Sequence, residues 1–182
     1  MININEIIRI INEQPLLRLT PENVRNLRGG PGIYVVYLCG NTSAVLYVGS
    51  SVELYNRIAQ LIDFVRFDHT FTWRLFCKEF RRRVGRKAVK SYREIEDRLW
   101  YEMREIREEI IGKLKELFSK LCFKYIDSRI YPPLKDININ ELRSLEKAVA
   151  DKLKPINPHL KDIDKTIDDL LHMASKSKTL KT

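Results

Sequence analysis

The chain has 182 residues, 44% of them hydrophobic, enough for one domain with a substantial buried core. Its net charge of +9 comes from 33 basic against 24 acidic side chains, and no apolar stretch is long enough to span a bilayer. No membrane-spanning helix is expected; the opening MININEIIRI also lacks the layout of a secretory signal, so a soluble, cytoplasmic protein is expected. Cys39, Cys77 and Cys122 are odd in number and have no C-x-x-C spacing. They fit neither a disulfide framework nor a zinc site, and are expected to be small buried hydrophobes in a reducing compartment.

Ile4, Ile7, Ile8 and Ile11 fall at the spacing of one helix face and predict a first short helix. Thr20 before Pro21 supplies the cap and first position of a second. RGGPG breaks the chain, and the apolar runs 32–38 and 44–48, joined by CGNTS, predict a β-hairpin with a longer loop. Ser50 and Glu53 have the spacing of a capping box, so a helix is expected directly after Gly49, with Leu54, Ile58, Leu61 and Val65 as its stripe. FTWRLFC, 71–77, alternates and predicts a third strand.

Residues 78–93 hold eight basic side chains and one acidic one. Such a patch attracts a phosphate backbone through counterion release, which makes Arg81, Arg82, Arg83, Arg86, Lys87 and Lys90 candidate nucleic-acid contacts, although RNA or an acidic protein partner would look the same at this level. A solvated helix face is the plain alternative. Ile95, Leu99, Met103, Ile106, Ile110, Leu114, Leu117 and Leu121 then form a heptad seam, flanked by the pairs Glu94–Arg98, Glu109–Lys113 and Glu116–Lys120. The seam reads as one long helix that either packs back on the domain or joins a homodimer through 95–121. Gly112 weakens it by about 1 kcal/mol and marks a bend or a close helix crossing. Residues 123–131 read as extended up to YPP. Asn138 with Glu141 opens another helix, whose stripe is Leu142, Leu145, Val149 and Leu153 before Pro155 stops it. A short acidic helix and a polar end follow position 160.

Four short features occur in order: Gly32-Ile33-Tyr34, Tyr47-Val48-Gly49, Arg57 on the next helix, and ELRSLEKAVADKLKPIN with Glu146 and Asn157. Together they resemble the GIY-YIG nuclease family over roughly residues 31–157. The resemblance implies an α+β fold: a small three-stranded antiparallel sheet flanked by helices, here with a long helical insertion. Taken with the elements read along the chain, this is expected to give a helical lead-in (1–30), a nuclease domain (31–160, interrupted by 78–122) and a C-terminal helix and tail (161–182). It also implies metal-dependent hydrolysis of DNA phosphodiesters, with Tyr34, Tyr47, Arg57, Glu146 and Asn157 in the site. One magnesium, or manganese in its place, would be held by Glu146. The phenol matched by Tyr47 would orient or deprotonate the attacking water, Arg57 would hold the phosphate, and Asn157 would support Glu146. One turn past Arg57 the family often has a His or Tyr that assists proton transfer. This chain has Leu61 there, and His69, Tyr55 or a water are the candidates to stand in.

The residues themselves support this chemistry. A phenol titrates near pH 10, so Tyr47 needs a nearby cation or relay to act as a base. At about 100° per residue, Arg57 falls about 60° from Leu54 and Glu146 about 40° from Leu142, both at the rim of a buried face. A helix start at Ser50–Glu53 would add backbone N–H donors for an anion. Tyr37 is read as packing. The alternatives are a catalytically inactive DNA-binding module on the same scaffold, and an interaction protein that dimerises through the heptad seam.

Overall fold

The computed structural model describes residues 2–27, 29–39, 41–85, 103–156 and 165–176. Among them, seven helices and a four-stranded antiparallel sheet make an α+β fold. Asn3 caps α1 (Ile4–Glu13) by accepting from the Asn5 and Glu6 N–H groups, and Thr20 caps α2 (Pro21–Arg25) by accepting from Asn23 N–H. Between these helices lies the two-residue strand β1 (Leu17–Arg18). The hairpin follows as β2 (Gly32–Leu38) and β3 (Asn41–Ser51), with a shift of register around Val36, Tyr37 and Leu38. After α3 (Leu54–Leu61) and α4 (Thr70–Val84) come α5 (Arg104–Ser119) and β4 (Leu121–Asp127). A 3-10 turn (Pro132–Leu134), α6 (Ile139–Leu153) and α7 (Ile167–Lys176) complete the order.

The sheet order is β1-β4-β2-β3, so β2 is interior and β3 is an edge. Every residue of β2 is buried, because helices cover both faces. Tyr34, Val36 and Leu38 face a core built with α3, α4, α5 and α7; Ile33, Val35 and Tyr37 face a second core built with α1 and α6. Both the N-terminal helix and the C-terminal helix therefore belong to the packed body, through Ile7 and Ile11 on one side and Ile167 and Leu170 on the other. Tyr37 is packing, as expected.

Several expectations are corrected. The sheet has four strands rather than three, because Leu17 and Arg18 pair with Phe123 and Cys122; a two-residue strand has no periodicity to read. FTWRLFC is helical: Phe71, Leu75, Phe76 and Phe80 are buried at helical spacing, and His69 caps the start by accepting from Phe71 N–H. The supposed capping box after Gly49 is absent, since β3 runs through Ser51 and α3 starts at Leu54 without a side-chain cap. Val65 lies beyond α3 and is 67% exposed. Cys39 and Cys122 form a disulfide, leaving Cys77 as a buried thiol outside it. The strand register places Tyr37 opposite Cys122, so the neighbouring Cys39 reaches it, an adjacency that spacing along the chain does not reveal.

Ile110, Leu114, Leu117 and Leu121 are fully buried within this chain. Burying such a side chain is worth about 1.5–3 kcal/mol. Exposing four to make a dimer seam would remove as much as the whole fold usually holds, about 5–15 kcal/mol. Ile110, Leu114 and Leu117 therefore pack the helix back onto its own domain, and Leu121 opens β4 instead of continuing the helix; Ile95 and Leu99 lie outside the described residues. A Cβ on Gly112 would meet nothing within 4 Å, so no helix among the described residues crosses there. Of the expected i,i+4 pairs, Glu116–Lys120 forms at 2.7 Å, whereas Glu109 turns to Arg83 and Lys113 to Asp168.

Candidate active site

The two glycines of the paired motifs explain how the site closes. Gly49 lies opposite Tyr34 in the hairpin, and a Cβ there would come within 2.4 Å of the Tyr34 Cζ and hydroxyl. Only a glycine lets the phenol lie across the β3 backbone. At Gly32 a Cβ would meet the Ile126 carbonyl at 2.6 Å and Leu54 at 2.9 Å, so β2 can sit close to β4 and α3 only without a side chain there.

Tyr34 is fully buried, and its hydroxyl lies 2.7 Å from His69 Nε2. His69 Nδ1 accepts from Phe71 N–H at 3.2 Å, which makes Nε2 the protonated nitrogen of the neutral ring. The imidazole therefore donates to Tyr34. Burial, then the charge of Arg57, holds His69 well below its ordinary pKa, so the ring stays neutral.

Tyr47 lies beside Tyr34, and both Tyr34 and Arg57 are near enough to act on its proton. The three rings pack edge to face, with centroids 5.8 Å apart for Tyr34–Tyr47 and for Tyr47–His69, and Tyr47 stacks on Phe71 at 5.2 Å. Burial pushes Tyr47 up to about 12, helped by the charge of Glu146; the hydrogen bonds from Tyr34 and Arg57 work the other way. Burial and the Tyr47 charge raise Tyr34 well above 10.

Arg57, on α3, is half-buried and reaches across to the start of α4. It donates to Gln60 Oε1 at 3.0 Å, to the Asp68 carbonyl at 3.4 Å and to Thr70 Oγ1 at 3.4 Å. Glu146 arrives from α6, on the opposite face of the sheet, and accepts from Ser50 Oγ at 2.5 Å. Burial raises its carboxyl, opposed by Ser50 and by the charges of Arg57 and Arg143. The edge strand β3 is thus the meeting line. It supplies Tyr47 and Ser50, α3 and α4 supply Arg57 and His69 from one face, and α6 supplies Glu146 from the other.

Of the expected site residues, Tyr34, Tyr47, Arg57, Glu146 and His69 come together. Leu61 is buried in the core, and its carbonyl accepts from Thr72 Oγ1 at 2.7 Å; the imidazole beside the phenols comes from the α4 cap instead. Tyr55 packs half-buried against the core. Ile156 N–H donates to Val45 O on β3, which ties the end of α6 to the site strand, while Asn157 lies outside the described residues. Sequence reasoning misses Ser50 as the partner of Glu146, and misses Arg143 altogether. Arg143 stands three residues before Glu146 on the same helix, a spacing the sequence does display.

Arg82 and Arg83 lie in a different setting. Glu79, fully buried on α4, accepts from Arg82 at 2.5 and 3.0 Å and lies 3.5 Å from both Arg83 and Lys113. Arg83 also forks onto Glu109 of α5 at 2.7 Å, and Asp168 of α7 receives Lys113 at 2.7 Å and Arg82 at 3.1 Å. Part of the basic cluster is therefore an ion-pair network joining three helices. Arg86, Lys87 and Lys90 lie outside the described residues.

No group of three or more His, Cys, Asp or Glu side chains gathers among the described residues. The carboxylate of Glu146 stands alone, with a serine hydroxyl beside it. A single hard oxygen donor suits magnesium, which keeps waters and takes further oxygens from a bound phosphate, and does not suit zinc. No helix among the described residues is long and apolar enough to cross a membrane. No family model, curated protein or solved structure matches the chain.

Proposed function

We propose that the protein is a metal-dependent DNA endonuclease of the GIY-YIG type, hydrolysing phosphodiester bonds with a tyrosine-assisted water. The observation that carries this reading is the meeting of Tyr34, Tyr47, Arg57 and Glu146 at one sheet edge, from four separate elements. Core packing alone would not bring a guanidinium, a carboxylate and two phenols together.

In this reading Glu146 holds a magnesium or manganese ion, which when bound supplies Lewis acidity toward the phosphate. Arg57 offers its remaining N–H donors to a phosphate oxygen. Tyr47, whose proton is retained at neutral pH, orients the water and becomes a base as local positive charge lowers its pKa from about 12. Behind it the imidazole of His69 donates to Tyr34, whose ring packs edge to face against Tyr47.

The test is incubation of the purified protein with supercoiled, branched and single-stranded DNA, with magnesium and with chelator. Glu146→Gln should lower cleavage by roughly a hundredfold or more, because metal charge stabilisation is worth several kcal/mol and ~1.4 kcal/mol is tenfold in rate. DNA binding should persist. Normal cleavage by that variant at low magnesium, or no cleavage by the wild type on any of the three substrates, sinks the proposal.

A further inference from the structure

We infer that the sugar–phosphate backbone of the DNA runs along one flank of α6, held by Arg143, Lys147 and Lys154. This rests on the endonuclease reading above and adds to it the path of the substrate.

The basic segment singled out by charge count is poorly placed for the task. Arg82, Arg83 and Lys113 already serve Glu79, Glu109 and Asp168, and a phosphate would have to displace those carboxylates first. The α6 cations are not held in such pairs among the described residues. Arg143, Lys147 and the C-cap residue Lys154 are all exposed, and among the described residues none of their side chains makes an ion pair or hydrogen bond.

Their arrangement is directional. Counting about 100° per residue from Leu142, Glu146 falls at about 40°, Arg143 at about 100° and Lys147 at about 140°. Arg143 and Lys147 form one ridge beside the carboxylate, on its solvent side, and Lys154, the left-handed C-cap residue, stands past the end of the helix. Asp151, at about 180°, borders the ridge, and Glu141, at about 260°, lies on the far flank. Arg143 and Lys147 are separated by about 6 Å along the axis and Lys154 by about 10 Å more, so each can meet its own phosphate. Arg143 is also close enough for its charge to act on Glu146. A strand held on this ridge leads to Glu146 and Ser50, and from there to Tyr47 and Arg57 across β3.

The experiment is a salt series of DNA binding, read by fluorescence anisotropy of a labelled duplex in chelator so that cleavage plays no part. The triple variant R143Q/K147Q/K154Q is compared with K115Q/K135Q/K152Q, which removes the same charge from exposed lysines elsewhere. The ridge variant should bind at least tenfold more weakly at moderate salt. Its log–log salt slope should fall by roughly 0.9 for each phosphate no longer neutralised, up to about 3. The control should keep a slope close to that of the wild type. If the two triples lose affinity and slope equally, only net charge matters and the ridge assignment is overturned. An unchanged ridge variant of a protein that binds and cleaves DNA overturns this inference and leaves the nuclease reading standing. A wild type that binds no DNA, or a ridge that answers only to an acidic protein, removes both. Should the triple variant melt early, Arg143→Gln and Lys147→Gln singly should each lower the slope by about 0.9, and no change in either overturns the ridge.

Discussion

Gly49→Ala tests the closest packing in the site without reference to any reaction. The added methyl would lie 2.4 Å from the Tyr34 Cζ and hydroxyl and 2.8 Å from its Cε1, where carbon contacts settle at about 3.5–4.0 Å. More than 1 Å must be recovered by ring or strand. The ring has little room, being fully buried with its hydroxyl 2.7 Å from His69. Overpacking of this kind costs about 1–3 kcal/mol, and the size of the overlap puts the loss near the upper end. For a domain of this length that is a fall in Tm of about 5–10 °C. Thermal and urea melts of the wild type, Gly49→Ala, Tyr34→Leu and the double variant complete the cycle. A leucine side chain in place of Tyr34 has no atoms where the phenol tip stood. Gly49→Ala should therefore cost little in the Tyr34→Leu background, giving a coupling of about 2 kcal/mol. Tyr34→Phe keeps Cζ and should not rescue. A Gly49→Ala protein within about 0.5 kcal/mol of the wild type, or an equal loss in the Tyr34→Leu background, would refute the account.

His69 is held well below its ordinary pKa, while the unfolded chain takes up a proton near pH 6.5. Stability should therefore fall as pH drops below about 6.5, by up to about 1.4 kcal/mol per pH unit until the folded-state pKa is reached. Urea unfolding between pH 7.5 and 5.5 should show a shallower fall for His69→Gln, and an identical fall would mean the ring charges freely in the fold. The Cys39–Cys122 bond predicts one titratable thiol per denatured chain without reductant and three with it. Reduction should remove about 4–5 kcal/mol by loop entropy, given a sequence separation of 83, and three thiols in unreduced protein would rule out the pairing.

Much of the fold is legible where one periodicity dominates. The stripes of α1 and α6, the Thr20-Pro21 start and the Asn138–Glu141 capping box all appear where expected. The misreadings have one origin, competition between local patterns that only tertiary contacts resolve. Phe71, Trp73, Leu75 and Cys77 alternate, yet Thr72 and Phe76 between them are buried as well, which a helix face accommodates and a half-exposed strand does not. Ser50 and Glu53 have the spacing of a cap, but Ser50 is claimed by Glu146, 96 residues away. In the site, Tyr34, Tyr47, Arg57 and Glu146 are recoverable because their order and spacing carry a pattern. The contact between Tyr34 and His69 is not, since it depends on where α4 begins, and the sequence pattern suggested a strand at that point.

The phenol pair is more than core filling. Burying His69 and two phenols is less favourable than burying apolar rings of the same shape, unless each polar atom is matched. His69 and Tyr34 match each other, Nε2–H to the phenol oxygen, while Nδ1 takes Phe71 N–H. Tyr34 and Arg57 act to lower the proton affinity of Tyr47, yet burial and the nearby Glu146 keep it at about 12. The two influences differ in kind. Tyr34 and Arg57 are built into the fold, whereas the charge of Glu146 can be cancelled by any cation that binds it, which removes one of the causes holding Tyr47 up. The carboxylate and the phenol are therefore coupled groups, and the proton affinity of Tyr47 falls when positive charge reaches Glu146.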